Sequence, residues 1–202
     1  MYALIEDNSI SKLITNPKAM VIGDVRYPAK IFQLWSQSEK ESIGIYEIVV
    51  DKTNYKDPEY YNNTDSSYSF AEGQVTESWG TATAKELEDR NATDEDGVEL
   101  NPIVVIEGLK TEKKKIVKAQ ASTLLERTDW HNHKALDDDS YTIPDNIKTY
   151  RANVRAKSNE METQIDACTN VDELKTLYEY VNTGTEENPV IERPLAEFPK
   201  EI

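Results

Sequence analysis

Residues 144–168, PDNIKTYRANVRAKSNEMETQIDAC, carry the pattern that decides the fold class. Apolar or small side chains recur there at steps of three and four residues; they are Ile147, Tyr150, Val154, Ser158, Met161, Ile165 and Cys168. This spacing places them in one narrow stripe along a helix, which suits packing against a second helix. Pro144 and Asp145 fit the helix start, because proline is tolerated in a first turn and an acidic side chain suits the helix dipole there.

Two more helices are predicted beside this one. Before it, apolar side chains recur at helical spacing and predict an amphipathic helix over about residues 108–127; they are Ile116, Val117, Ala121, Leu124 and Leu125. After it, Asn170 and Glu173 have the spacing of a capping box and open a shorter helix. Three helices, two of them antiparallel, can share one small core, so residues 107–182 are predicted to form a helical domain.

The N-terminal part of the chain predicts β-hairpins instead. Residues 2–5 and 10–14 are apolar-rich runs, and the residues between them, Asp-Asn-Ser at 7–9, favour a turn. Residues 68–79 predict a second hairpin, with its bend at Glu-Gly, residues 72–73. Both signals come from short runs bounded by turn-forming residues.

A short helix and a strand are predicted between the two hairpins. Ser36 and Glu39 have the Ser-x-x-Glu spacing of a capping box, and Gly44 lies where a glycine ends a helix. The run IYEIVVD, residues 45–51, is rich in β-branched and aromatic side chains and predicts a strand. Residues 1–83 are therefore predicted to form a small β-rich domain with one short helix.

Composition separates this domain from the helices. Residues 84–106 are predicted to be an acidic linker, because their first nineteen residues hold seven acidic and two basic side chains and almost no large apolar ones. Residues 183–202 contain three prolines and are predicted to be an extended tail. The predicted fold class is α+β, a β-rich N-terminal domain followed by an antiparallel helical hairpin with a third short helix.

The charge of the chain excludes several classes of partner. The net charge of −15 argues against nucleic acid, since affinity for phosphates comes mainly from Lys and Arg, and it argues against an acidic membrane surface. No apolar run approaches the ~18–20 residues that span a bilayer, and the N-terminus MYALIEDNSI lacks the pattern of a signal peptide. A single Cys168 rules out an internal disulfide and a CxxC redox pair.

No residue pattern indicates catalysis. A catalytic serine needs a positioned base beside a nucleophile elbow, and a phosphate loop needs clustered glycines, whereas the 7 glycines here are isolated. Carboxylate pairs are expected by chance in so acidic a chain, so a glycosidase reading has no specific support. Scattered tryptophans are usually core or interface residues. We expect no enzymatic activity and no cofactor.

The two histidines of the chain pose the question of a metal site. His131 and His133 are expected in the connection between two helices, where an extended backbone would place both imidazoles on one side. Residues 137–139, three aspartates, could add oxygen ligands for zinc. Each aspartate has another explanation, as polar loop or as a partner of Arg151 and Arg155. We therefore predict no metal site.

A longer pattern in residues 108–200 resembles a known family. A helix ends in L-L-x-x-T-D-W, an acidic connection with a proline follows, Y-R-x-x-V-R lies on the next helix, and a proline-rich tail comes last. The matching residues are Leu124, Leu125, Thr128, Asp129, Trp130, Tyr150, Arg151, Val154, Arg155, Pro194 and Pro199. This is similar to the tail-assembly-chaperone-like domain of tailed bacteriophages, in proteins often called tail fibre assembly proteins. MYALIE, GIYEIVVD and VTESWG also look like N-terminal regions of marine-phage members.

The resemblance implies a non-enzymatic protein that binds tail fibre protein and assists its assembly in the host cell cytoplasm. An alternative is a permanent virion component of the tail fibre or baseplate, near the host-contacting tip. Many members of the family end with W-P, whereas this chain has EFP, residues 197–199. A homo-oligomer stays open, because a stripe at helical spacing serves a dimer or trimer as readily as a hairpin.

The family pattern defines six candidate contact residues. They are Thr128, Asp129, Trp130, Tyr150, Arg151 and Arg155. Asp129 is expected to cap or end the turn after the first helix, and Trp130 to offer a large apolar surface. Arg151 and Arg155 lie one helical turn apart and are expected to hold aspartates of residues 137–139. Two interpretations stay open: these residues close the helical hairpin, or they bind a partner.

Overall fold

The computed structural model describes all 202 residues as a mixed α+β chain, and the predicted fold class is confirmed. The chain forms two compact units, Met1–Thr83 and Ala84–Ile202. The sequence predicts the end of the N-terminal domain at this same position. None of the helices has both the length and the apolar content needed to cross a membrane.

The first unit is built on a five-stranded sheet. Its elements in chain order are β1 (Tyr2–Glu6), β2 (Ser9–Ile14), β3 (Met20–Ile22), β4 (Val25–Tyr27), α1 (Ile31–Leu34), α2 (Gln37–Glu41), β5 (Ile45–Asp51), β6 (Tyr61–Asn62), β7 (Ser66–Ala71) and β8 (Gln74–Trp79). A two-residue strand, β9 (Thr83–Ala84), follows. The sheet order is β2-β1-β5-β8-β7, and only the β5–β8 pair is parallel.

The short-range predictions for this unit are confirmed. β1 and β2 form the first hairpin, with Asp7 and Asn8 at positive φ in its turn, and β7 and β8 form the second. Ser36 caps α2 in a capping box with Glu39. Gly44 ends the helical segment at a φ of 82°, a conformation that glycine adopts without steric cost.

Both faces of the sheet carry apolar clusters. On one face Leu4 and Ile45 pack with the α1 residues Ile31 and Phe32, and on the other face Val75 is the centre of a second cluster. Alternating side chains of a strand point to opposite faces, so β1 and β5 each contribute to both clusters. Apolar packing therefore stabilises the sheet on both of its faces.

The second unit is mainly helical. Its elements are β10 (Arg90–Asn91), β11 (Val105–Ile106), α3 (Leu109–Glu126), α4 (Asp129–Asp137), α5 (Asp145–Ala167), α6 (Val171–Tyr178), β12 (Val181–Asn182) and β13 (Ile191–Glu192). Lys114 near the start of α3 pairs with Asp166 at the end of α5, so the two long helices are antiparallel. The predicted stripe from Ile147 to Cys168 is buried in full, which confirms the helical hairpin.

The structure corrects the prediction for the connection between the long helices. We expected a loop there, but residues Asp129–Asp137 form a helix, α4, so the unit contains four helices rather than three. α3 ends at Glu126, before the Thr-Asp-Trp motif. The run DWHNHKALD lacks a buried apolar stripe, and Arg151 of α5 pairs with Asp129 in its first turn.

The structure also corrects the prediction of a linker at residues 84–106. Ala92 donates its N–H to the Val104 carbonyl at 2.7 Å and accepts from the Leu100 N–H at 3.0 Å. Because the N–H and C=O of one residue point to the same side of a strand, residues 98–100 and 104–106 lie on the same side of residues 90–94. They form one returning strand of a hairpin that bulges at residues 101–103. Backbone hydrogen bonds hold this segment together, and such bonds need no apolar side chains. We call residues 90–106 the acidic ribbon.

The C-terminal tail is fixed against the helices rather than free. β13 pairs with β12, and the Leu195 N–H donates to the Leu177 carbonyl at 3.0 Å. Leu195 is almost fully buried. Further on, Phe198 packs against a cluster that contains Tyr150 and Val154 of α5. The tail that we predicted to be extended therefore contributes to the core of this unit.

Candidate functional site

Arg151 is the centre of the polar contacts around the Thr-Asp-Trp motif. Its side chain is only 9% exposed, and Nη1 donates to the Leu125 carbonyl at 2.8 Å and to Thr128 Oγ1 at 2.7 Å. Nη2 pairs with Asp129 Oδ1 at 2.7 Å. The guanidinium thereby satisfies a carbonyl in the last turn of α3, which has no partner within the helix, and holds the start of α4.

These contacts correct the pairing that we predicted for the arginines. Arg151 holds Asp129 rather than an aspartate of residues 137–139, and Arg155 is exposed, with Nη1 3.4 Å from the Arg151 carbonyl. Asp138 instead accepts hydrogen bonds from the side chain and backbone N–H of Ser140, which lower the pKa of that carboxyl. Asp129 is the first residue of α4, not its cap.

The helical state of α4 also decides the question of the histidines. His131 is buried and His133 is exposed, because residues two apart on a helix point about 200° apart. The prediction that both imidazoles share one side of an extended loop is therefore wrong. No group of three or more His, Cys, Asp or Glu side chains is placed to hold a metal ion.

Trp130 lies on a short stack of rings. Its indole stacks on the His131 imidazole, with centroids 3.7 Å apart and an angle of 26° between the planes. His131 Nδ1 shares a hydrogen bond with Tyr141 Oη, and Lys134 Nζ lies 4.3 Å from the centroid of the Tyr141 ring. His131 therefore links the exposed indole to Tyr141 in the loop after α4. The ring stack and this hydrogen bond together hold Trp130 in place.

The outer side of α4 is an exposed stripe with large apolar side chains at both ends. Trp130 is 53% exposed and Leu136 is 81% exposed, with exposed His133 between them at steps of three residues. Side chains three apart are neighbours on a helix surface, so the stripe is continuous. We call Trp130, His133 and Leu136 the α4 stripe. Exposed aromatic and apolar side chains on a fixed helix are typical of a protein–protein contact.

A groove on α3 is a second apolar feature of this unit. It has a volume of about 480 Å³ and is lined by Ile116 and Leu124 of α3 together with Phe198 of the tail. An ion pair between Arg127 and Glu201 lies at its rim. Ile116 is half exposed, so the groove is open to solvent along one side.

The six predicted contact residues fall into four groups. Thr128 and Arg151 are buried and structural, Asp129 is half exposed and pairs with Arg151, and Tyr150 is buried in the apolar cluster with Phe198. Two residues are left at the surface, Trp130 and Arg155. Most of the motif therefore closes the helical hairpin, and Trp130 is its exposed aromatic member.

Sequence reasoning missed Leu136 and Tyr141 as site residues. Both lie in the run that we interpreted as loop, and the signal that could have found them is the step of three residues from Trp130 through His133 to Leu136. Tyr141 is placed by its bond to His131, a contact that requires α4 to be helical. No sequence spacing indicates that bond.

Comparisons with known proteins add no relative of this chain. No family model, no curated protein and no solved structure matches it. The resemblance to phage tail fibre assembly proteins therefore rests on the sequence pattern of residues 108–200.

Proposed function

We propose that this chain is a phage tail-fibre-associated protein that binds tail fibre protein and assists its assembly without catalysing a reaction. The observation that carries the proposal is the exposed Trp130 at the end of a motif whose other members are buried or paired. Thr128 and Arg151 fix the backbone before the indole, and His131 stacks beneath it. An aromatic side chain held in one place loses little conformational entropy when a partner covers it.

The α4 stripe supplies the partner surface. A protein that binds an unassembled fibre chain needs apolar area that is accessible before the fibre forms, and Trp130 and Leu136 provide it. The net charge of −15 keeps such a protein soluble while that area is uncovered. The stripe is short, as suits a contact that is released after assembly.

Co-expression with a phage tail fibre protein tests this proposal. Tagged chain is captured, and the amount of fibre protein retained is measured for Trp130→Ala and Leu136→Ala. We expect each change to reduce retention at least about tenfold, as for a central interface residue. The matched controls are Tyr180→Ala and Leu34→Ala, which remove an exposed aromatic ring and an exposed leucine away from α4. Equal retention by the α4 variants and the controls contradicts the proposal.

A permanent virion component is the alternative function. Mass spectrometry of purified virions separates it from an assembly factor, because a transient assembly factor is absent from mature particles. Detection at the copy number of the fibre favours the structural role and overturns the transient one. Sedimentation of the purified chain shows in addition whether it acts as a monomer or a homo-oligomer.

A further inference from the structure

The acidic ribbon ends in a strand with a free edge. The ribbon is a two-stranded hairpin in which residues 98–106 return along residues 90–94, and β11 pairs with β10 through Asn91–Val105 and Arg90–Ile106. β11 has a neighbouring strand on that side only. In an antiparallel pair every second residue directs its N–H and C=O away from the partner, so an edge strand presents unpaired donors and acceptors.

This edge is unusual in being apolar on both faces. Ile103, Val104, Val105 and Ile106 follow one another and are 64%, 48%, 53% and 39% exposed. Successive side chains of a strand point to opposite faces, so neither face of this segment is covered. Natural edge strands usually carry lysine, an inward charge or a covering loop. Here only Pro102, just before the segment, limits its length.

The charge around the edge indicates which kind of partner would bind there. Residues 84–107 contain eight acidic and two basic side chains, a net charge of 2 − 8 = −6. Glu88 and Glu107 are paired with Lys110 and Lys115. The carboxylates at and beside the ribbon tip, of Asp94, Glu95, Asp96 and Glu99, form none of the ion pairs of this unit.

The negative charge of these carboxylates affects any segment that pairs with β11. Glu99 lies on the same returning strand as β11, so its carboxylate lies along the edge to which a partner segment would pair. Two copies that met edge to edge would bring two charges of −6 together, which disfavours a second copy of this chain. A segment that carries Lys or Arg beside apolar side chains has the opposite charge and matching surface.

We propose that β11 is a docking strand for an extended, basic segment of a partner protein, in which apolar side chains alternate with Lys or Arg. The segment adds to the ribbon as a further strand. Its backbone pairs with the free N–H and C=O groups of residues 103–106, and its apolar side chains cover one face of them. Its basic side chains lie in the field of the ribbon carboxylates. This surface is separate from the α4 stripe, so it stands or falls independently of the proposed function.

Peptide titration of the full chain tests the proposal. The probe is a synthetic peptide of about ten residues that alternates valine and lysine, long enough to span the exposed edge. Amide hydrogen exchange and NMR shifts are measured for residues 103–106. We expect exchange at the free-edge amides to slow at least about tenfold on binding, and affinity to fall as salt is raised.

Two peptide controls separate strand addition from attraction by charge alone. The same peptide N-methylated at alternate residues keeps its charge but loses backbone donors, and it should not protect β11. A peptide that alternates valine and glutamate should not bind. If the N-methylated peptide protects the edge as well as the parent, or the glutamate peptide binds equally, the proposal is overturned.

Matched variants of the chain test where the peptide binds. Val105→Lys puts a cation on the docking edge and should weaken binding of the lysine peptide at least about tenfold. Val21→Lys makes the same change at an exposed position of β3 in the first unit and should alter binding by less than about twofold. Retained exchange protection of the Ala92 amide, which donates to Val104, shows that each variant keeps the ribbon. Slow exchange at residues 103–106 in the chain without peptide, either from self-association or from an intramolecular cover, also overturns the proposal.

Discussion

At the scale of single residues, Arg151 couples the end of one helix to the start of the next. One guanidinium serves the Leu125 carbonyl, the Thr128 hydroxyl and the Asp129 carboxylate. A lysine could not reproduce this, because a single ammonium lacks the planar set of donors. The position of α4, and with it Trp130, therefore depends on one side chain of α5.

We expect Arg151→Ala to lower the free energy of unfolding by about 2 to 3 kcal/mol, since it removes the buried charge-assisted hydrogen bonds to Leu125, Thr128 and Asp129. Asp129→Asn should cost less than about 1 kcal/mol, because that carboxylate is half exposed and water replaces its partner. Urea unfolding followed by circular dichroism measures both.

Arg155→Ala is the control one helical turn away, and it should change stability by less than about 0.5 kcal/mol because Arg155 is exposed. The exposure of Trp130, followed by its fluorescence, should change with Arg151→Ala and stay constant with Arg155→Ala. Equal effects of the two alanine substitutions would show that the buried contacts of Arg151 contribute little.

At the scale of secondary-structure elements, the α3–α5 hairpin is held by one apolar stripe. Met161 is 1% exposed at its centre. We expect Met161→Ala to cost about 2 to 4 kcal/mol through lost burial and the cavity left behind. Ile116→Ala, on the exposed side of α3, should cost less than about 1 kcal/mol. Thermal unfolding of the two variants gives the comparison, and similar losses would argue against a core along this stripe.

The N-terminus of α6 gives the hairpin unit a pH-dependent contact. The Thr169 backbone N–H and hydroxyl, together with Asn170, donate to the Glu173 carboxylate and hold its pKa below the ordinary value of 4.5. A carboxyl whose pKa is lower in the folded state stabilises that state above the unfolded pKa. This stabilisation is lost as the pH falls below 4.5 and through the folded-state pKa.

We therefore expect Glu173→Gln to reduce stability near pH 7 and to lose less than the parent chain when the pH is lowered to about 3. The free energy of unfolding in urea at both pH values measures the difference. Glu187→Gln, in an exposed loop, is the matched control and should follow the parent chain at both pH values. A parent-like pH dependence of Glu173→Gln would mean that the bonds to Thr169 do not shift the titration.

The elements that the sequence predicts best are those whose stabilising contacts repeat along the chain. The stripe of α5, the capping box at Ser36, the N-cap at Asn170 and the hairpin turn at Glu72 are local patterns, and the structure has all of them. α4 was missed because one of its anchoring contacts comes from a residue distant in sequence, and the acidic ribbon was missed because its backbone bonds leave no pattern of apolar side chains. Arg151 reaches α4 across more than twenty residues, and a composition rich in acid conceals the backbone pairing of Ala92.

The same difference between local sequence patterns and contacts made only in the fold applies to the candidate site. The motif from Thr128 to Trp130 could be singled out by its residues, but its division into buried members and one exposed ring follows from the helical state of α4. Spacing alone indicated neither that division nor the contact between His131 and Tyr141.

At the scale of the whole molecule, the two units have separate apolar cores. The clusters around Ile45 and Val75 draw only on the first unit, and the cluster around Val154 draws only on the second. We expect Ile45→Ala, at a fully buried position, to destabilise the first unit by about 2 to 4 kcal/mol. Amide exchange should accelerate in β1 and β5 and stay unchanged in α5. Equal acceleration in α5 would show that the units unfold together.

The free edge of β11 also bears on the colloidal behaviour of the protein. Its four exposed apolar residues are kept apart between molecules by a negative charge that vanishes near the sequence pI of about 4.6. Concentrated solutions brought toward that pH should therefore form β-rich aggregates, measurable by light scattering and thioflavin fluorescence, and Val105→Lys should delay them. A delay no longer than that of Val21→Lys, at an exposed position of β3, would show that another segment drives aggregation. The negative charge of the chain thus limits association through an edge strand that no other segment covers.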